Sequence, residues 1–188
     1  MGHFNHNDHY HRFLLRQVPE GARRALDVGC GSGTFARKLA ARGLEVDAVD
    51  RSAEMIAAAG RTEGVTYHQA DARELDLAGY DFVSCIASLH HLPFTVTVRK
   101  LRDALRPGGV LAVLGLNRLS PGDLPFGAVA FLPNRVRCRL SPDGGDPVPP
   151  IKDPDLTLPQ IRAGARDLLP GARIRRRLYF RYSLVYQA

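Results

Sequence analysis

The apolar positions along this chain fall into two alternating rhythms. Short runs that are apolar throughout, or at every second residue, stand between stretches with apolar residues three and four apart. The first kind reads as strand and the second as helix. Arg24–Val28 predicts a first strand, followed by a helix over Thr34–Arg42 with Gly43 as its C-cap. Leu44–Asp50 alternates as a second strand, and Ser52 is placed to cap the helix after it. Val65–Gln69 predicts a third strand. Tyr80–Ile86, nearly all apolar after Asp81, predicts a fourth of the kind buried on both faces. A helix over Thr95–Leu105, a turn at Arg106-Pro-Gly-Gly109 and a fifth strand over Val110–Leu116 come next. Upstream, Tyr10–Gln17 reads as a short amphipathic helix ended near Pro19.

The rhythm stops at Leu116. Residues 117–158 are rich in proline and glycine around an apolar patch that holds Phe126, Phe131 and Leu132. Leu158–Leu169 resumes as a helix with Pro159 in its first turn, and Ala172–Tyr179 with Tyr182–Gln187 predict a closing hairpin. Strands alternating with helices predict an α/β fold with a parallel, doubly wound sheet. The expected organisation is a single domain over residues 1–188. Within it, residues 1–20 form an N-terminal helix or lid and residues 117–158 form a substrate-lid insertion.

Candidate chemistry gathers at the predicted strand ends, where open parallel sheets bind ligands. The first strand runs into Gly29-Cys30-Gly31-Ser32-Gly33, and a helix opens directly after. Such a loop lets a ligand approach the backbone closely. Asp27 just before it disfavours a pyrophosphate and suits a cationic group such as an ammonium. The spacing also departs from the dinucleotide pattern GxGxxG, since Thr34 stands where the third glycine would fall. Asp50, ending the second strand, is placed to accept from two ribose hydroxyls, and Asp71 beyond the third from an adenine amino group. One ligand with adenosine at one end and an amino acid at the other satisfies all three acids.

Charge and composition then narrow the partners. The formal charge is +7, carried mostly by arginine, with lysine only at Lys38, Lys100 and Lys152. The densest cluster is Arg173, Arg175, Arg176 and Arg177. Three of these alternate along one predicted strand, so a solvated sheet face is the expectation rather than a nucleic-acid site. No run approaches the roughly 20 apolar residues of a membrane span. The polar stretch Met1–His11 lacks a signal-peptide pattern, so a cytoplasmic protein is expected. Cys30, Cys85 and Cys138 are odd in number and show no CxxC spacing, which predicts small buried thiols. His3, His6, His9 and His11 are irregularly spaced, and no metal site is expected from them.

With these residues in order, the chain resembles class I S-adenosylmethionine-dependent methyltransferases. Leu26-Asp-Val-Gly-Cys-Gly-Ser-Gly33 looks like the family's first motif, Val49-Asp50-Arg-Ser its ribose-binding acid, and Ala70-Asp71-Ala72 its adenine-contacting segment. Tyr80–Leu92, which includes Ile86-Ala-Ser-Leu-His90-His91, is similar to the fourth-strand motif of the UbiE-like, small-molecule branch. Leu105-Arg-Pro-Gly-Gly-Val-Leu111 is similar to the fifth. The resemblance covers residues 22–116. It implies a Rossmann-like sheet of seven strands in the order 3-2-1-4-5-7-6, with strand 7 antiparallel.

The resemblance further implies S-adenosyl-L-methionine as the cofactor and S-adenosyl-L-homocysteine as product. The implied cofactor contacts are Asp27, Gly29, Cys30, Gly31, Gly33, Asp50, Arg51, Met55, Asp71, Ala72 and Ile86, with Tyr10 folding over the carboxylate end. His90 and His91 fall where the donor methyl would emerge. Their ordinary pKa range suits removing a proton from a hydroxyl, phenol or amine. The expected acceptor is a small apolar or aromatic molecule. The chain lacks an Asn/Asp-Pro-Pro-aromatic sequence after strand four, which argues against methylation of amino groups on nucleic-acid bases. A non-catalytic S-adenosylmethionine-binding protein and an RNA or protein methyltransferase are the alternative readings. Oligomeric state is not legible.

Overall fold

The computed structural model describes residues 7–120, 153–178 and 181–188. Seven strands form one sheet: β1 Arg24–Val28, β2 Glu45–Asp50, β3 Val65–Gln69, β4 Tyr80–Ile86, β5 Leu105–Leu116, β6 Arg173–Arg177 and β7 Arg181–Gln187. Their spatial order is β3-β2-β1-β4-β5-β7-β6. β1 to β5 run parallel, and β7 is antiparallel to both β5 and β6. This is the doubly wound, Rossmann-like order expected from the sequence.

Five described α-helices cover the sheet: α1 Asp8–Leu15, α2 Thr34–Ala40, α3 Ala53–Ala59, α4 Phe94–Asp103 and α5 Leu158–Arg166. Alternation along the strands divides the core in two. Ala25, Val46, Ala48, Phe82, Ala112 and Leu114 pack with Leu14 of α1 and Phe35 and Leu39 of α2. Leu26, Val28, Val83, Cys85, Leu111 and Val113 pack with Val98 and Leu101 of α4 and Ile161 and Ala165 of α5. The near-continuous apolar reading of β4 follows from this burial on two faces.

Several boundaries depart from the sequence reading. The helix predicted over Tyr10–Gln17 starts two residues earlier and ends at Leu15. α4 runs from Phe94 to Asp103 rather than Thr95–Leu105, and α5 ends at Arg166 before a turn. The largest correction is at Arg106-Pro-Gly-Gly109, predicted as a turn. It lies inside β5, where the pairing with β4 jumps from Tyr80↔Leu105 to Phe82↔Val110. Gly108 at φ +80° takes up this irregularity, and its N–H donates to the carbonyl of Ala188.

Arg177 corrects the reading of β6 as a uniformly solvated arginine face. Its guanidinium lies 4.2 Å from the centre of the Phe13 ring, and its Nε donates to Ser183 Oγ at 2.9 Å. The edge strand and α1 therefore share a cation–π contact. Cys85 is buried as expected, whereas Cys30 is only partly so. Most of the predicted insertion, with Phe126, Phe131, Leu132 and Cys138, lies outside the described residues, as do His3 and His6.

Candidate active site

Because β1 to β4 are parallel, their C-terminal ends lie along one edge of the sheet. That edge brings together the glycine loop, Asp50, the segment at Asp71, and Ile86 with the turn that follows it. The loop is bound to the end of β2 by Gly29 and Cys30 N–H groups donating to Val49 O at 2.8 and 3.1 Å. Asp50 holds it from the other side. Its Oδ2 accepts from Gly31 N–H and its Oδ1 from Ser52 N–H, both at 2.9 Å. Ser52 in turn caps α3 through Met55 N–H, as its sequence position predicts.

The loop offers a cradle for a ligand. Gly31 has φ +53°, and a Cβ there would meet nothing within 4 Å. Open space thus stands directly against backbone that only glycine presents so closely. Gly33, at φ +75°, sits under the Tyr67 hydroxyl and opens α2.

The electrostatics of this edge are acidic. Asp27 is 1% exposed and its Oδ1 accepts a 2.7 Å hydrogen bond from Ser84 Oγ. Burial pushes its carboxyl up to about 7. The Ser84 hydrogen bond opposes that shift and the nearby Asp50 charge adds to it. The Cys30 thiol is likewise pushed up, by burial first and then by Asp27 and Asp50. A cation brought close would favour the ionised form of Asp27. Asp71 differs: a side-chain hydrogen bond from Arg73 holds its carboxyl down at about 2. Arg73 Nε donates to both Asp71 oxygens at 3.0 and 3.1 Å. Arg51 is exposed, and its charge also favours ionised Asp71.

The remaining predicted contacts are more enclosed. Met55 is 6% exposed and belongs to neither of the two apolar clusters. Ala72 packs in the cluster on the α4–α5 face, and Ile86 packs against the other. Tyr10 is buried, and its hydroxyl donates to Leu178 O at 3.2 Å. The start of α1 lies at the same sheet edge as the loop. Asn7 Oδ1 there accepts from Nε of Arg181, which pairs with Leu116 at the end of β5.

Beyond β4 the chain turns sharply at Ala87, whose φ of +51° is the only positive value at a described non-glycine residue. A 3-10 turn over Leu89–His91 follows, with the His90 and His91 rings 4.0 Å apart between centres. His90 borders a cavity of about 410 Å³. Leu92, Phe94, Leu116 and Ile161 give it apolar walls, and Tyr182 also lines it. The sequence reading did not include this wall, because β5, α4, α5 and β7 meet there from distant parts of the chain. It also missed Ser84, although a hydroxyl inside a doubly buried strand must find a partner.

Comparisons with known proteins point to one family. Residues 25–109 match the family model described as a methyltransferase domain. An uncharacterized methyltransferase of Mycobacterium tuberculosis is 36% identical over 196 residues, covering 98% of this chain and 97% of that protein. A ubiquinone biosynthesis O-methyltransferase of Xanthomonas axonopodis is 37% identical, over 69% of this chain and 56% of its own length. Among solved structures, an S-adenosylmethionine-dependent methyltransferase from Mesorhizobium loti matches with a TM-score of 0.51 and 31% identity, over about half of each chain (56% and 53%). One from Aquifex aeolicus reaches 0.62 over 94% of this chain and 88% of that one. At 17% identity it supports the fold alone.

The chain belongs to the class I S-adenosylmethionine-dependent methyltransferases. It is an enzyme that uses S-adenosylmethionine as methyl donor. The open backbone at Gly31 and the acceptor oxygens of Asp50 fit that cofactor's methionine and ribose parts. No described helix is long and apolar enough to cross a membrane.

Proposed function

We propose that this enzyme methylates a small apolar or aromatic acceptor held in the cavity beside His90. The observation that carries the reading is the wall itself. Leu92, Phe94, Leu116 and Ile161 line a partly open volume of about 410 Å³, a size and lining that suit a compact apolar molecule. Similarity to ubiquinone biosynthesis O-methyltransferases points the same way.

In this reading Asp50 accepts from the ribose hydroxyls while its other lone pairs hold Gly31 and Ser52. Asp71 serves the adenine end, beside Arg51, Met55, Ala72 and Ile86. Gly29, Cys30, Gly31 and Gly33 line the methionine end, Asp27 lies beneath it, and Tyr10 closes it. S-adenosylmethionine supplies an electrophilic methyl group on a sulfonium, a very good leaving group. The protein's work is then mainly alignment of the acceptor, with His90 or His91 taking the acceptor's proton where one must leave. Transfer of label from methyl-labelled S-adenosylmethionine to a panel of phenols and catechols tests the proposal. Transfer to such acceptors is expected, and transfer only to RNA or protein would refute it.

A further inference from the structure

Ser88 stands where three parts of the site meet. Its single Oγ–H is shared between two carbonyls, Ile86 O at 3.0 Å and Gly29 O at 3.2 Å, the latter 59 residues away. Its own carbonyl accepts from His91 N–H at 3.0 Å, closing the turn that carries the histidine pair. One side chain thus ties the glycine loop, the end of β4 and the His90–His91 turn together.

Two unusual backbone features serve this junction. Gly29 has φ +69°, and a Cβ there would lie 2.1 Å from Ser88 Oγ and 2.4 Å from Ser88 Cβ. Only glycine lets the serine approach so closely. On the other side, Ala87 adopts the left-handed region, where its Cβ crowds the following carbonyl. It is held there by its N–H donating to Leu114 O at 2.7 Å. This reversal redirects the chain off β4 and onto the loop. Strain of that kind persists only where surrounding contacts determine it.

We propose that Ser88 is a positioning residue, fixing the donor loop and the His90–His91 turn relative to one another through its hydroxyl. In-line transfer depends on that relation, because misplacement on the scale of 1 Å is costly to rate. The functional consequence rests on the cavity beside His90 being the acceptor site. The mechanical link does not.

Hydrogen exchange on the full chain with S-adenosylhomocysteine, a donor-side ligand only, tests the link whatever the acceptor proves to be. At saturating ligand, the wild-type turn over residues 88–92 should exchange more slowly than in the free protein. Ser88→Ala should exchange there roughly fivefold faster than wild type, as expected for one lost hydrogen bond, while residues 29–34 stay protected. Ser88→Thr, which keeps the hydroxyl, should restore the protection. Ser88→Cys puts a larger, weakly bonding thiol in place of the hydroxyl, so it should behave as the alanine variant does. Wild-type protection of the turn in either Ser88→Ala or Ser88→Cys would overturn the proposal.

Discussion

The carboxylate of Asp27 and the hydroxyl of Ser84 meet at 2.7 Å across two paired strands, and both side chains are closed to solvent. They are register partners on β1 and β4, so alternation turns both to the same face of the sheet. The acid that precedes the glycine loop is therefore held from within the core rather than from the cleft.

This placement has a pH signature. Burial raises the Asp27 carboxyl to about 7, so the folded protein holds the proton more tightly than the unfolded chain. Stability from this group is complete below the unfolded value near 3.9 and is lost as pH rises through about 7. Urea unfolding at pH 5 and pH 8 should show wild type losing a few kcal/mol more than Asp27→Asn between the two. Equal losses would show that Asp27 ionises freely in the fold.

Asp50 carries two duties. Asp50→Ala removes the acceptor for Gly31 and Ser52 N–H groups and, in the proposed role, both ribose hydrogen bonds. Hydrogen bonds to a charged group contribute about 1.5–3 kcal/mol each, so affinity for S-adenosylhomocysteine should fall about a hundredfold or more. Calorimetric titration measures this directly, and near-wild-type affinity would remove Asp50 from the site.

The histidine pair separates base chemistry from alignment. If either ring takes a proton from the acceptor, His90→Ala combined with His91→Ala should lower kcat about a hundredfold or more. S-adenosylhomocysteine affinity should change far less. Rate measurements with an acceptor drawn from the phenol panel decide the point. Unchanged turnover would leave alignment as the whole of the protein's contribution.

The docking of α1 should weaken in acid. His11 is 4% exposed, its Nδ1 accepts from Lys38 Nζ at 2.7 Å, and Asp8 stands 3.3 Å away. Burial, reinforced by the Lys38 charge, lowers its pKa to about 4. Its contribution is intact above the ordinary value near 6.5 and is lost as pH falls through about 4. Exchange over residues 8–15, taken relative to the intrinsic rate at each pH, should accelerate as pH falls across that window in wild type and much less in His11→Leu. The same acceleration in both would assign the effect to other groups.

Much of this molecule is legible in its sequence. β1 and β4 match the predicted bounds because their apolar runs stop at Gly29 and Ala87, and β3 because Val65, Thr66 and Tyr67 favour a strand that ends before Ala70-Asp71. Asp50 and the glycine loop sit together because strand-end positions are fixed once the strands are. What escaped is non-local. Arg106-Pro-Gly-Gly109 carries every local mark of a turn, yet pairing with Ala188 and Tyr80 draws it into β5. The cavity wall combines Leu92, Leu116, Ile161 and Tyr182, which no spacing relates. Ser84 did leave a signal, as the one hydroxyl in the apolar run Phe82–Ile86. Ser88 left none, since its partner Gly29 lies 59 residues away, across two helices and three strands.

A crystal structure with S-adenosylhomocysteine bound tests the account at its centre. The ribose should lie on Asp50, the backbone at Gly31 should contact the ligand, and the sulfur should face the cavity beside His90. A ligand seated on the loop with its sulfur turned away from that cavity would contradict the proposed direction of methyl transfer.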